Sequence, residues 1–223
     1  MANYAVEEKL LLPYLPHKTV LDDFDGKVFV SLVGFLFADT RLSGLKIPFH
    51  INFEEVNLRF YVKYKDGNTW KRGVTFIKEI VPKPAISFIA NTIYKEKYCT
   101  MPMKHLHCME EDGLNVEYHW KFRNKWNKLS AVTETISSPM IEGSEENFIL
   151  EHYWGYSKHS DSVTCEYGVE HPQWNIYPVK SYTVDCDFGG IYGSDFEYLQ
   201  NETPHSVFMA QGSVVKVLSK KHL

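Results

Sequence analysis

The residues best placed to do chemistry lie on one short stretch, Phe53-Glu54-Glu55-Val56-Asn57-Leu58-Arg59-Phe60-Tyr61. In a strand alternate residues share a face, so Phe53, Glu55, Asn57, Arg59 and Tyr61 stand together. Val56, Leu58, Phe60 and Val62 form the other face, which is plainly core. The first face sets a carboxylate, an amide and a guanidinium in a row between two aromatic rings. Inside a cone or barrel it would line a cavity that mixes aromatic surface with a few convergent polar groups. A Glu55 buried there would have the perturbed pKa that acid–base chemistry requires. The plain alternative is a solvated face with a cross-strand charge pair, worth about 0–1 kcal/mol. Both readings stand at this point.

The elements around this strand read as antiparallel β structure. Asp25-Gly26, Asp66-Gly67 and Asp112-Gly113 sit between apolar-alternating runs, and Asp-Gly favours the positive φ of tight hairpins. Leu114 to Phe122 is the clearest strand, with Leu114, Val116, Tyr118, Trp120 and Phe122 on one face. Ser162 to His171 repeats the pattern. Val28 to Arg41 is apolar on both faces, as a doubly buried central strand would be. Further strands are expected near 51–64, 70–81, 103–110, 129–136, 175–187 and 206–218.

Two segments read as helices. Pro84 suits a first turn, followed by Ile86, Ile89, Ala90 and Ile93 at helical spacing. Ser144 is a good N-cap with Glu145 and Glu146 behind it, and that helix is expected to run through Phe148, Ile149, His152 and Tyr156. The pattern predicts one mainly β domain over residues 1–223, a partly closed antiparallel barrel or double sheet with two or three helices.

Composition removes several function classes. A net charge of −4 without a basic stripe argues against nucleic acid. The longest apolar run, Val28 to Ala38, is interrupted by Ser31 and Gly34 and is too short to span a bilayer. Cys99, Cys108, Cys165 and Cys186 show no CxxC pair, which predicts reduced thiols and a cytoplasmic location. His105 and His107 share a face beside Cys108, but no second cluster completes a metal site, so no metal and no cofactor are expected. His171, just before Pro172 and Trp174, reads first as a hydrogen-bonded histidine in an aromatic corner. Arg41 could grip a carboxylate ligand or pair with Asp39 or Glu54 at a rim. Gly-x-Ser-x-Gly, P-loop and dinucleotide motifs are missing from the sequence.

Three stretches together resemble a known family. Asp22-Asp23-Phe24-Asp25-Gly26-Lys27-Val28-Phe29-Val30-Ser31 is similar to the aspartate-aromatic-Asp-Gly opening of the uncharacterised YqjF-like family. Glu55 through Val62 resembles its Glu-x-Asn-x-Arg-x-Tyr-Val strand. Ser144 through Tyr156, then Glu170-His171-Pro172-Gln173-Trp174, resembles its late helix and His-Pro-x-Trp segment. That family belongs to the acetoacetate-decarboxylase-like superfamily, so the resemblance implies a cone-like β barrel lined from inside. The superfamily's true decarboxylases form a Schiff base on a lysine that follows a helix. In this chain the corresponding run is Lys95-Glu96-Lys97-Tyr98-Cys99, with Tyr98 or Cys99 at the lysine positions. The resemblance therefore implies no Schiff-base decarboxylation, and it adds Tyr98 to the candidate site.

The expected function is a binding or enzymatic pocket for a small organic acid or carbonyl compound. Glu55 and Arg59 would be its polar anchors, with Asn57, Tyr61, Arg41 and Tyr98 in support. The expected partner is a small molecule, not nucleic acid or membrane, and a homo-oligomer is left open. The rival is a non-catalytic interaction protein whose barrel is filled by its own aromatic side chains, which make up 15% of the residues.

Overall fold

The computed structural model describes residues 1–40, 51–93, 95–111 and 113–223. Arg41 and Asp112 lie outside these described residues. In chain order the first elements are β1 (Ala2–Val6), α1 (Glu8–Leu11), β2 (Thr19–Leu21), β3 (Val28–Phe37), β4 (Phe53–Asp66) and β5 (Thr69–Val81). Next come α2 (Pro84–Ile93), β6 (Tyr98–Thr100), β7 (Met103–Glu110), β8 (Gly113–Phe122), β9 (Lys125–Thr133) and β10 (Ser138–Pro139). The remainder is α3 (Glu145–Leu150), β11 (Trp154–Ser160), β12 (Val163–Glu170), β13 (Asn175–Tyr177), β14 (Val179–Asp185) and α4 (Phe188–Tyr192). After a 3-10 helix at Ser194–Asn201, four two-residue strands close the chain: β15 (Ser206–Val207), β16 (Met209–Ala210), β17 (Lys216–Val217) and β18 (Lys221–His222).

The expected mainly β architecture is present as two packed sheets plus a separate three-stranded one, β10-β13-β16. The large one runs β15-β1-β3-β4-β5-β11-β12-β17, with β2 on β4, β6 on β5 and β18 on β12. Its strand order is open rather than a hydrogen-bonded ring among the described residues. The smaller sheet, β14-β9-β8-β7, lays Tyr118, Trp120 and Leu129 against Val30, Leu32, Leu58 and Phe60. This contact is the main core. A second core forms on the opposite face of β4, where Phe29, Tyr61 and Val74 meet Phe148, Ile149 and Leu150 of α3. Burial on both faces of its first six residues explains why β3 is apolar on both sides, apart from Ser31 and Gly34.

Local chemistry sets the turns and caps. Asp25 and Gly26, at φ 50° and 74°, form the two-residue turn whose flanking Phe24 and Lys27 exchange both backbone hydrogen bonds. Ser144 caps α3 by accepting from the Asn147 amide at 3.2 Å. The helix stops at Leu150, which corrects the expected run through His152 and Tyr156. Pairing along β11 with β12, and in parallel with β5, takes Trp154–Ser160 into the sheet and outweighs the helical spacing.

Candidate functional site

Register brings the site together. Across β3, β4, β5 and β6, Val33 pairs with Asn57, Asn57 with Glu79, and Glu79 with Tyr98. Leu58 pairs with Lys78 but Arg59 with Phe76, so Ile77 is the extra residue of a β-bulge. Strict alternation would put Phe76 and Glu79 on opposite faces; the bulge puts both on the face carrying Asn57 and Arg59. Helix α2 then returns the chain parallel to β5 and delivers Glu96 and Tyr98 to the same place. Asn91 fixes that return, accepting from the Tyr98 amide at 2.7 Å and donating to its carbonyl at 2.9 Å.

Glu55 is only 1% exposed and fully engaged: Asn57 Nδ2 donates to its Oε1 and the Tyr98 hydroxyl to its Oε2, each at 2.9 Å. Glu79 is 2% exposed and Glu96 9%. The Tyr167 hydroxyl, from β12, donates to Glu96 Oε1 at 2.9 Å. Three carboxyls and two phenols thus share one buried region. Burial pushes Glu55 up to about 7, against the pull of Asn57, Tyr98 and Arg59. Burial likewise takes Glu96 to about 7, held down by Tyr167 and raised by Glu55. Glu79 is pushed well above the usual carboxylate range by burial, then by the charges of Glu96 and Glu55. Carboxyls poised near neutrality can both give and take a proton, and a neutral one can donate a hydrogen bond.

Three polar atoms here have no hydrogen-bond partner among the described residues: Asn57 Oδ1, Arg59 Nε and Glu79 Oε2. Arg59 lies over the Tyr61 ring, 5.6 Å from its centroid. Tyr61 itself is committed to structure, its hydroxyl 2.7 Å from that of Ser31, which donates to Asn3 at 2.6 Å. Glu55, Asn57, Arg59, Tyr61 and Tyr98 of the expected set are therefore brought onto one face. Glu79, Glu96 and Tyr167 were not expected there. An acid inside the apolar run Phe76-Ile77-Lys78-Glu79-Ile80-Val81 was the available signal for the first. Lys95 and Lys97 are both exposed, with the Lys97 ammonium 5.4 Å from the Tyr14 ring centroid.

A second buried polar centre adjoins the first. Asp22 accepts from Arg72 Nε at 2.6 Å and Lys63 Nζ at 3.0 Å, and lies 3.1 Å from His152 Nε2. Burial alone would raise its carboxyl, but these three partners outweigh it and hold it well below the usual range. Burial pushes His152 down to about 4, despite Asp22. Its ring stands 4.7 Å from that of Tyr61, so the two polar centres touch through one aromatic residue.

The other candidates resolve locally. His105 lies 2.7 Å from Glu54 Oε1 and His107 2.9 Å from the Tyr118 hydroxyl. Among the described residues no three His, Cys, Asp or Glu side chains are grouped to hold a metal ion. His171 stacks on Trp174 at 4.1 Å. Among the described residues, cavities of about 190 and 40 Å³ are lined by others: Tyr4, Cys186 and Phe188 in the first, Met1, Gly34 and Tyr118 in the second. No helix among the described residues is long and apolar enough to cross a membrane.

A family of uncharacterized conserved proteins, DUF2071, matches residues 1–214. The chain belongs to this family. The uncharacterized protein YqjF of Bacillus subtilis is 27% identical over 177 residues, which are 78% of this chain and 69% of YqjF. Solved structures show the DUF2071 chain's fold to be of acetoacetate-decarboxylase-like type. The enduracididine biosynthesis enzyme MppR, complexed with pyruvate, superposes with a TM-score of 0.62 at 11% identity, covering 98% of this chain and 86% of MppR. An acetoacetate decarboxylase-like enzyme of Sphingomonas wittichii gives 0.61 at 10% identity, covering 100% and 88%. The acetoacetate decarboxylase of Legionella pneumophila gives 0.54 at 13% identity, covering 99% and 77%.

Proposed function

We propose that this chain binds, and acts on, a small organic acid or carbonyl compound at the face of β4 that carries Glu55 and Arg59. The supporting observation is Glu55, withdrawn from water yet aimed by Asn57 and Tyr98, with Arg59 Nε, Glu79 Oε2 and Asn57 Oδ1 left unpartnered around it. Arg59 would receive a carboxylate or carbonyl oxygen, and a carboxyl near neutral pKa would move a proton at the adjacent carbon. Pyruvate and acetoacetate are the natural first probes, since similar structures include a pyruvate complex and an acetoacetate decarboxylase. Schiff-base chemistry is not part of the proposal, because Tyr98 or Cys99 occupies the lysine positions and Lys97 faces outward.

Calorimetric titration of the full chain tests the proposal. Glu55→Ala and Arg59→Ala should keep the fold by circular dichroism and lose binding; unchanged binding would refute the assignment. Carbon dioxide release from acetoacetate, abolished by borohydride trapping on a lysine, would overturn the exclusion of Schiff-base catalysis. The second reading is a non-catalytic interaction protein with a side-chain-filled interior. It is favoured by the aromatic packing on both faces of β4, where Phe60 meets Trp120 in one core and Tyr61 meets Phe148 in the other.

A further inference from the structure

The buried cluster has a surplus of acid. On β4, Glu55 faces it with Arg59; β5 contributes Glu79; the return from α2 contributes Glu96 and Tyr98; and β12 contributes Tyr167. The nearby lysines make their direct contacts elsewhere, although the Lys97 charge is felt by Glu96 and Glu79. Lys78 donates to the Ile191 carbonyl, Lys97 is exposed over Tyr14, and Lys158 pairs with Asp161 at 2.8 Å. Among the described residues, Arg59 is the cation acting on Glu55.

An acid surplus alone names no ligand, but the unpartnered atoms do. Asn57 Oδ1 only accepts, and Glu79 Oε2 accepts when ionised. Both residues are at least nine-tenths buried, 1% and 2% exposed, and they pair directly across β4 and β5. Cross-strand partners stand about 5 Å apart at Cβ, close enough for one N–H-rich group to reach both. Arg59 Nε, the unpartnered donor, sits two residues further along β4, about 7 Å away. Such a face asks for a donor group and an acceptor group in one short molecule.

We propose that the ligand carries a primary ammonium as well as its carboxylate or carbonyl, the ammonium received by Asn57 and Glu79 and the oxygen end by Arg59. This rests on the functional reading above and narrows its substrate class to amino-bearing acids. Glu96 adds charge behind Glu79 without touching the ligand. Because the cluster holds protons at neutral pH, a cation that enters must displace one, so binding releases a proton to the buffer.

The experiment titrates the full chain near pH 7 with 5-aminopentanoate and with pentanoate, in two buffers of different ionisation enthalpy. The amino acid should bind at least tenfold more tightly and release about one proton, while pentanoate releases none. Glu79→Gln should erase both differences, with Glu96→Gln reducing the proton release as a second variant; the wild-type contrast decides if neither variant folds. Equal affinity for the two probes, still dependent on Arg59, would overturn the ammonium assignment and leave the acid-binding reading standing. No binding of these probes, pyruvate or acetoacetate would overturn both.

Discussion

At the scale of single residues, Tyr98 and Asp22 carry opposite duties. Tyr98 donates to Glu55 Oε2 and so favours the ionised carboxyl that burial disfavours. Tyr98→Phe removes that donor at the cost of one hydrogen bond to a charged group, about 1.5 kcal/mol, equivalent to about one pKa unit. The Glu55 midpoint, read from the carboxyl carbon by NMR, should therefore move above its present value of about 7. A midpoint that stays in place would show that Tyr98 does not tune the acid. Asp22, in contrast, is held ionised by Arg72, Lys63 and His152. Asp22→Ala leaves those three without their common acceptor and should cost about 3 kcal/mol in urea unfolding. Arg72 and Lys63 keep partial access to water, which places the loss at the lower end of that class. A loss under 1 kcal/mol would mark the centre as incidental.

At the scale of elements, close backbone approaches hold the site's walls in place. A Cβ on Gly155 of β11 would stand 2.1 Å from the Tyr167 ring, and one on Gly73 of β5 2.4 Å from the Trp154 carbonyl. Gly155→Ala should therefore displace Tyr167 from Glu96 and destabilise the fold by about 1–3 kcal/mol, seen as a lower urea midpoint. Retained stability, with the Tyr167 ring unmoved in a crystal structure, would contradict this packing. The same elements show what the sequence could disclose. Strand β4 and its polar face, β8, the hairpin turn at Asp25-Gly26 and the first turn of α2 were legible, because each depends on local alternation or turn chemistry. Strand β11 was not: its aromatic residues also fit helical spacing, and only pairing with β5 and β12 decides between them. Glu79 was hidden by the Ile77 bulge, which no local pattern announces. Glu96 was read beside its lysine neighbours, although the fold turns it inward and them outward.

For the whole molecule, two buried polar centres joined through Tyr61 give stability two opposed dependences on pH. His152 has a folded pKa of about 4 against 6.5 for the free side chain, so its contribution is complete above 6.5 and fades as pH falls toward 4. Asp22, also depressed when folded, contributes above its ordinary value of 3.8 and is lost in stronger acid. The acid cluster runs the other way. Glu55 and Glu96, raised from 4.5 to about 7, bind more protons folded than unfolded, so their contribution is full below 4.5 and is lost as pH rises through 7. Glu79, raised further, extends that loss to higher pH. Between pH 4.5 and 6.5 the histidine offsets part of the carboxyls' slope, and between 5 and 8 the Met1 amino group, lowered from 8.0 to about 5 by burial and then by Arg59, opposes it as well. The carboxyls' share is therefore read as a difference: urea midpoints of the Glu79→Gln, Glu96→Gln double variant should rise relative to those of the unsubstituted chain between about pH 5 and 8, while the acid limb stays intact. A difference between variant and unsubstituted chain that stays flat over this interval would mean these carboxyls are ionised in the folded chain, and the proton-holding cluster on which the proposed chemistry depends would not exist.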